Sequence, residues 1–298
     1  STRTFFRQQF ENVQQLKSDM LEMQGQISTG KQISVPSEDP VAFSNLAMLK
    51  SRGSRISQYE TNITAIRQRL ALEDSTLTQV NAILTRVREL SIQGSNDTLS
   101  PADRKTIGLE ISSLSDTMIG LANITDADNK PLFSGTRVDK VPFERNADGK
   151  VIYHGDATKV EQSISDSNAM TVNSTGDDVF LSVNTPDGTR KSLFDIVDSV
   201  AATLKRGESP SSQLSDVVAT LDHVTGSQTI TGSRMSSVDY EYDRLMVDKL
   251  TTKSRISTLE DTDIEAAVTK LKQQMTSLEA AQSAFARITD LSLFNYLK

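Results

Sequence analysis

The chain has 298 residues and a formal net charge of −7, with no cysteine, no tryptophan and 5% aromatic residues. The lack of cysteine excludes disulfides and thiolate metal sites, and two histidines leave almost no room for zinc sites or Ser-His-Asp triads. The acidic charge argues against a general nucleic-acid binder, because neutralising phosphates needs an excess of Lys and Arg. The composition therefore favours an elongated, helix-rich, non-catalytic protein.

The first 30 residues carry large apolar side chains at steps of three and four, a spacing that predicts a helix with a narrow seam. An ordinary helical bundle would produce the same periodicity, so both interpretations stay open. Gly30 is a suitable stop for this helix, and Asp39-Pro40 offers an N-cap for the next one. The seam consists of Phe6, Phe10, Val13, Leu16, Met20, Met23 and Ile27.

A second seam runs through residues 56–87, where the absence of proline permits one long helix. Glu73 is its one polar interruption. A third apolar run follows Ser100-Pro101, which reads as an N-cap and first helical residue, so residues 97–103 are predicted to form the turn of an antiparallel helical hairpin. The two runs are Ile56, Tyr59, Ile63, Ile66, Leu70, Leu77, Val80, Leu84 and Val87, then Ile107, Ile111, Leu114, Met118 and Leu121.

Residues 131–192 differ from the rest, because proline and glycine recur there at short intervals. Short apolar stretches between such turn residues predict short strands, here at Val151–Tyr153 and Asp178–Phe180. The sequence therefore predicts one small β-rich insert inside a helical frame.

The last 88 residues contain no proline and close with another helical seam. Asp261-Thr262-Asp263 stands where the apolar step lengthens to five, so it is predicted to break the helix rather than to bind a metal. The seam consists of Ile264, Val268, Leu271, Met275, Leu278, Gln282 and Phe285.

We find no catalytic constellation and predict no cofactor or metal site. Asp126–Asn129 begins like a calcium loop, but Lys130 and a missing glycine favour a turn. His154 falls in a strand-to-turn sequence and His223 on a long helical tract, each without a second ligand nearby. No stretch is apolar and long enough to predict a membrane span.

The chain ends are rich in large apolar side chains, although termini are usually polar. The C-terminal helix could dock on the protein's own body, or neighbouring subunits could bury it together with the first seam. Burying about a dozen such side chains, at roughly 1.5–3 kcal/mol each, would strongly favour assembly. The predicted assembly interface comprises Phe6, Phe10, Val13, Leu16, Met20, Met23, Ile27, Leu271, Met275, Leu278, Phe285, Ile288, Leu291, Leu293, Phe294, Tyr296 and Leu297.

These patterns together predict a mainly α fold with a small β insert. It is expected to be an elongated antiparallel helical rod with coiled-coil-like seams and with the N- and C-termini at the same end. Three parts are predicted: terminal assembly helices at residues 1–40 with 260–298, a long helical shaft at 41–130 with 193–259, and the outer β-rich insert at 131–192.

Gln26–Ile33 with Pro36–Ala42 looks like the N-terminal signature of the flagellins and flagellar hook-associated proteins, and Ser254–Asp263 is similar to the stretch before the last helix of that family. Arg88–Asp97 resembles a further family stretch between them. Within the family, the hook–filament junction class is favoured by the segments Asp128–Gly135, Val141–Phe143, Val151–Asp156 and Leu291–Leu297.

The resemblance implies a structural adaptor, not an enzyme, that joins the hook to the filament of the bacterial flagellum. It implies as partners the first hook-associated protein, flagellin and further copies of the chain in a ring, with no nucleic acid or membrane. It also implies an export chaperone at the C-terminal region and an extracellular location reached through the flagellar type III apparatus without a cleaved signal peptide.

Three alternatives remain open. The chain could be flagellin itself, the bulk filament subunit. The β insert could be an enzymatic or ligand-binding module on a coiled-coil stalk, although it lacks paired acids with a nearby histidine. The whole chain could also be an intracellular coiled-coil scaffold.

Overall fold

The computed structural model describes the backbone of residues 2–296 and, within it, the side chains of residue 4 and residues 7–287. Long helices dominate, and the strands are two or three residues long. In chain order the elements are α1 (Thr2–Thr29), α2 (Pro40–Gly94), α3 (Pro101–Ala122), β1 (Phe143–Arg145), β2 (Val151–Tyr153), β3 (Glu161–Ser163), β4 (Ala169–Thr171), β5 (Val183–Asn184), β6 (Arg190–Lys191), α4 (Leu193–Lys205), α5 (Leu214–Glu260) and α6 (Ile264–Tyr296).

The chain divides into two compact units. The first comprises Ser1–Ile56 and Val247–Lys298, and the second comprises Ser57–Met246. The prediction of a mainly α fold with a few short strands is confirmed. The three-part division stays a prediction. The placement of both termini at one end also stays a prediction, because Ser1, Leu297 and Lys298 lie outside the described residues.

The second unit has the larger core, built on the predicted seam of α2. From Ile63 to Val87 the seam residues are at most 1% exposed, and the apolar face of α4 is buried beside α3. Four phenylalanines join this helical layer to the insert. They are Phe133, Phe143, Phe180 and Phe194, with ring centroids 5.1–5.7 Å apart in the contacting pairs.

The insert consists of three separate antiparallel hairpins, β1–β2, β3–β4 and β5–β6. Tyr153 connects the first hairpin to the aromatic cluster: its hydroxyl lies 2.8 Å from the carbonyl oxygen of Phe133 and accepts the amide of Gly176 at 3.2 Å. Burial raises the pKa of Tyr153 to about 12. Gly176 is required here, because a Cβ would lie 2.5 Å from the Tyr153 ring and 2.6 Å from the Phe143 ring.

One strand prediction is confirmed and one is wrong. Val151–Tyr153 is β2, whereas Asp178–Phe180 lies within a π-helical turn at Asp177–Leu181. In a strand, Val179 and Phe180 would point to opposite faces. In the π turn both are buried, with Val179 1% and Phe180 0% exposed. Such a short apolar run cannot distinguish a strand from a buried helical turn.

The helix ends confirm the predicted turn chemistry. Ser100 caps α3 by accepting the amide of Asp103 through its side chain, and Asp39 accepts the amides of Val41 and Ala42 at the start of α2. Gly30 follows α1 with a φ of 69°, which favours glycine. The turn between α2 and α3 is held by Arg104, whose guanidinium donates to the carbonyls of Gly94 and Asn96.

Candidate assembly interface

Helices α1 and α6 pack against each other in the first unit. The end of α1 meets the start of α6 through an isolated antiparallel bridge between Lys31 and Asp261, and the amide of Thr262 donates to the carbonyl of Gly30 at 2.9 Å. The two helices therefore run antiparallel. Asp261-Thr262-Asp263 separates α5 from α6, as predicted.

A pair of helices this thin leaves its own seam only partly covered. Eight of the predicted interface residues are half-buried: Val13, Leu16, Met20, Met23, Ile27, Leu271, Leu278 and Phe285. Phe10 and Met275 are exposed, at 58% and 45%. Among the described side chains of this unit, the large apolar ones that are buried are only Ile33, Leu46 and Ile56. The first unit thus presents apolar surface that its own fold does not bury.

Seven predicted interface residues cannot be placed in this way. The side chains of Phe6, Ile288, Leu291, Leu293, Phe294, Tyr296 and Leu297 lie outside the described residues. Their role, like that of the whole predicted interface, stays a prediction.

The structure adds apolar surface that the sequence reasoning missed. In the first unit, Val41, Met48, Val247 and Leu250 are 62–72% exposed on α2 and α5, and Leu21 is 61% exposed on α1. These residues lie outside the predicted seams. They could have been recognised in the sequence as large apolar side chains on the otherwise polar face of a regular helix. Surface of this kind is typical of protein–protein contacts.

A charged cluster fixes the joint where α1, α2, α5 and α6 come together. Glu260, the last residue of α5, has a side chain that is 11% exposed and pairs with Lys31 at 2.7 Å and Lys50 at 2.8 Å. Its backbone carbonyl accepts the amide of Gln32 at 2.7 Å. The hydrogen bonds from Lys31 and Lys50 hold the pKa of the Glu260 carboxyl below its usual value.

We expect Glu260→Gln to loosen this joint. Each ion pair is worth about 0.2–1 kcal/mol because the lysines are half exposed, so amides of residues 30–34 and 260–263 should exchange with solvent several-fold faster at neutral pH. A lowered folded-state pKa gives stability that is present above the unfolded pKa and is lost as the pH falls through the folded one. The difference between wild type and variant should therefore vanish in acid. Hydrogen exchange measures both effects.

The matched control for this experiment is Glu279→Gln, which removes an exposed carboxyl from α6. It should leave exchange at the joint unchanged. Equal exchange in wild type and Glu260→Gln at neutral pH would contradict the assigned role of Glu260.

The candidate ligand residues Asp126, His154 and His223 occupy structural positions. Asp126 forms a turn by accepting the amides of Asp128 and Lys130. His154 lies 3.6 Å from the Glu144 carboxyl, and Nε2 of His223 lies 2.8 Å from the carbonyl oxygen of Asp178. Within residues 2–296 the described side chains form no cluster of three His, Cys, Asp or Glu groups suited to a metal ion, and no described helix is apolar over a membrane-spanning length.

Comparison with known proteins points to one family. The model of the bacterial flagellin N-terminal helical region matches residues 1–138, and that of the C-terminal helical region matches residues 214–297. The sequence is 30% identical to flagellar hook-associated protein 3 of Escherichia coli K12, over 100% of this chain and 99% of the relative. It is 27% identical to the Salmonella typhimurium LT2 protein of the same name, over 99% and 98%.

Flagellin relatives match less well: flagellin of Listeria monocytogenes is 22% identical over 85% of this chain and 82% of the relative. Among solved structures, hook-associated protein 3 of Legionella pneumophila shares the fold with a TM-score of 0.67 and 18% identity, over 72% of this chain and 98% of that one. The FlgL protein of Xanthomonas campestris gives 0.62 and 19%, over 69% and 98%. The two flagellin regions and the full-length identity of 30% establish that the chain belongs to the flagellin family, in its hook-associated protein 3 group.

Proposed function

We propose that the protein is a structural adaptor of the bacterial flagellum that joins the hook to the flagellin filament. The observation that carries the proposal is the end-to-end similarity to hook-associated protein 3 of Escherichia coli, whereas the flagellin matches are weaker and partial. The partly covered α1–α6 pair supports a role in assembly, because its apolar surface needs a partner to be buried.

In this proposal the helices of residues 1–40 and 260–298 assemble, the helical segments 41–130 and 193–259 form the shaft, and residues 131–192 face outward. The partners are the first hook-associated protein on the hook side, flagellin on the filament side and further copies of this chain in a ring. The seventeen predicted interface residues form the contacts. The protein acts without catalysis, outside the cell, after flagellar export with a chaperone at its C-terminal region.

Immuno-electron microscopy of purified flagella from the source bacterium tests the proposal. An epitope inserted in the β1–β2 turn, beside the exposed Asp148 and Gly149, leaves the helices intact because exposed turns tolerate insertions. We expect gold label at one narrow band per flagellum, between hook and filament. Label along the whole filament would contradict the junction role in favour of flagellin, and label confined to the cytoplasm would favour a scaffold.

A further inference from the structure

The seam of α2 contains one residue that does not belong in an apolar layer. Glu73 occupies a heptad position, seven residues from Ile66 and seven from Val80, and like Val80 it is 0% exposed. Glutamate is rarely buried to this degree, and burying its carboxyl is costly unless hydrogen bonds replace those to water. The carboxyl therefore needs specific donors.

The donors come from two other parts of the second unit. Oε1 of Glu73 accepts a hydrogen bond from Oγ of Ser174 at 2.5 Å and from Oγ1 of Thr231 at 2.6 Å. Thr231 lies on α5 and is itself 0% exposed, and Ser174 follows β4. Arg234 adds a further bond to Oγ of Ser174 at 3.0 Å. One carboxyl oxygen thus joins α2, α5 and the insert.

The heptad pattern of α5 shows why this pairing matters. One row of buried residues on α5 has a spacing of seven: Val217, Val224, Thr231, Val238, Leu245 and Thr252. The members one and two heptads from Thr231 on either side are apolar. The corresponding row on α2 has a single charged member, Glu73, among Tyr59, Ile66, Val80 and Val87. Glu73 and Thr231 meet at the same level of the two rows.

A shift of α5 by one heptad would keep apolar residues in the seam but would break this match. It would bring Val224 or Val238 to the level of Glu73, and neither side chain can donate a hydrogen bond to the carboxyl. The apolar residues alone discriminate poorly between such registers, because Val217, Val224 and Val238 make up most of this part of the row. Polar residues at single seam positions are known to select one register in this way.

Other polar contacts between the helices are more exposed. Arg67 pairs with Asp239 at 2.8 Å, but their side chains are 44% and 53% exposed, and exposed pairs contribute little. Gln228 bonds to Asn81 at 2.8 Å on the other side of the layer. Glu73 and Thr231 lie at the edge of the large core. On α2 this core begins with Leu77. Beyond it, Leu70, Ile66 and Val238 are buried but lie outside that core.

We infer that Glu73 and Thr231 form a register key, a polar pair that fixes the pairing of α5 with α2 at the edge of the large core and joins the insert to both helices through Ser174. Glu73 is a positioning residue in this role. The inference is independent of the proposed junction function, because it concerns contacts within one unit of one chain.

Distances between two spin labels test the register. The chain has no native cysteine, so Ala71→Cys and Asp243→Cys, both exposed, place one label on each helix. A shift by seven residues moves one label about 10 Å along the other helix. Wild type and Glu73→Gln, which keeps the Oε1 acceptor, should each give one narrow distance. The double variant Glu73→Leu with Thr231→Val should add a second population whose distance differs by up to about 10 Å, without a lower melting temperature.

The matched control is Thr220→Val. Thr220 is also 0% exposed on α5, but its hydroxyl donates within its own helix, to the carbonyl of Asp216. Its replacement should leave the distance unchanged. A single unshifted distance in the folded double variant would overturn the register key.

If the double variant does not fold, the single variant Thr231→Val tests whether Glu73 and Thr231 fix the register. Valine has the shape of threonine without its hydroxyl, so it leaves Glu73 with no donor from α5. We expect a broadened distance and a lower melting temperature. An unchanged distance and melting temperature would show that other contacts hold the register.

Discussion

Phe10→Lys combined with Met275→Lys should prevent incorporation of the protein into flagella. Both side chains are exposed on the α1–α6 pair, at 58% and 45%, so the isolated monomer should keep its helix content and melting temperature. In the proposed assembly they are buried, and because about half of each side chain is already covered in the monomer, this contributes roughly half of the 1.5–3 kcal/mol expected for a fully exposed side chain. Since 1.4 kcal/mol is a factor of ten, the lost burial alone should weaken subunit association at least about 10-fold, and burying the lysine charges weakens it further. Gold label per flagellum measures incorporation.

The matched control adds the same charge to the same helices on exposed polar positions, as Gln14→Lys with Gln273→Lys. It should incorporate normally. If Phe10→Lys with Met275→Lys also incorporates normally, these residues lie outside the interface. If the control fails equally, added charge and not lost apolar contact is responsible, and the predicted interface is wrong.

The sequence predicted the helical frame because its signals are local. Steps of three and four along residues 56–87 follow from helix geometry alone, and Ser100 and Gly30 act on their immediate neighbours. The predicted interface on α1 and α6 rests on this periodicity and on the large apolar side chains at the chain ends, and the half-buried state of Leu16 and Leu271 is compatible with it. Whether partners cover these residues is a property of the assembly.

What the sequence could not show depends on partners far away along the chain. Glu73 was visible as a polar interruption, but its donors stand 101 and 158 residues later. Glu260 likewise pairs with Lys50, 210 residues earlier. The periodicity did not identify the exposed Val247 and Leu250, because apolar residues outside the seam do not follow a regular spacing. For Glu73 and Glu260, the decisive contact is set by tertiary packing, which local patterns do not encode.

Phe180→Ala should be among the most destabilising single substitutions in the second unit. The ring is fully buried, and its centroid lies 5.1 Å from that of Phe133, 5.3 Å from Phe143 and 5.7 Å from Phe194. Truncation to alanine removes these contacts and leaves a cavity, at a cost of about 3–5 kcal/mol. A domain is typically stable by about 5–15 kcal/mol, so thermal unfolding should begin roughly 10 °C lower.

Two further variants test whether the π turn causes this loss of stability by burying both Val179 and Phe180. Phe180→Leu keeps most of the volume and should cost about 1.5 kcal/mol or less if the cluster repacks. Val179→Ala should cost about 1.5 kcal/mol, because the π turn buries both neighbours, whereas a strand would leave one of them on the outer face. Calorimetry on the full chain distinguishes the cases. A melting temperature of Val179→Ala equal to wild type would contradict the π turn, and the same result for Phe180→Ala would contradict the aromatic cluster as the link between the insert and α4.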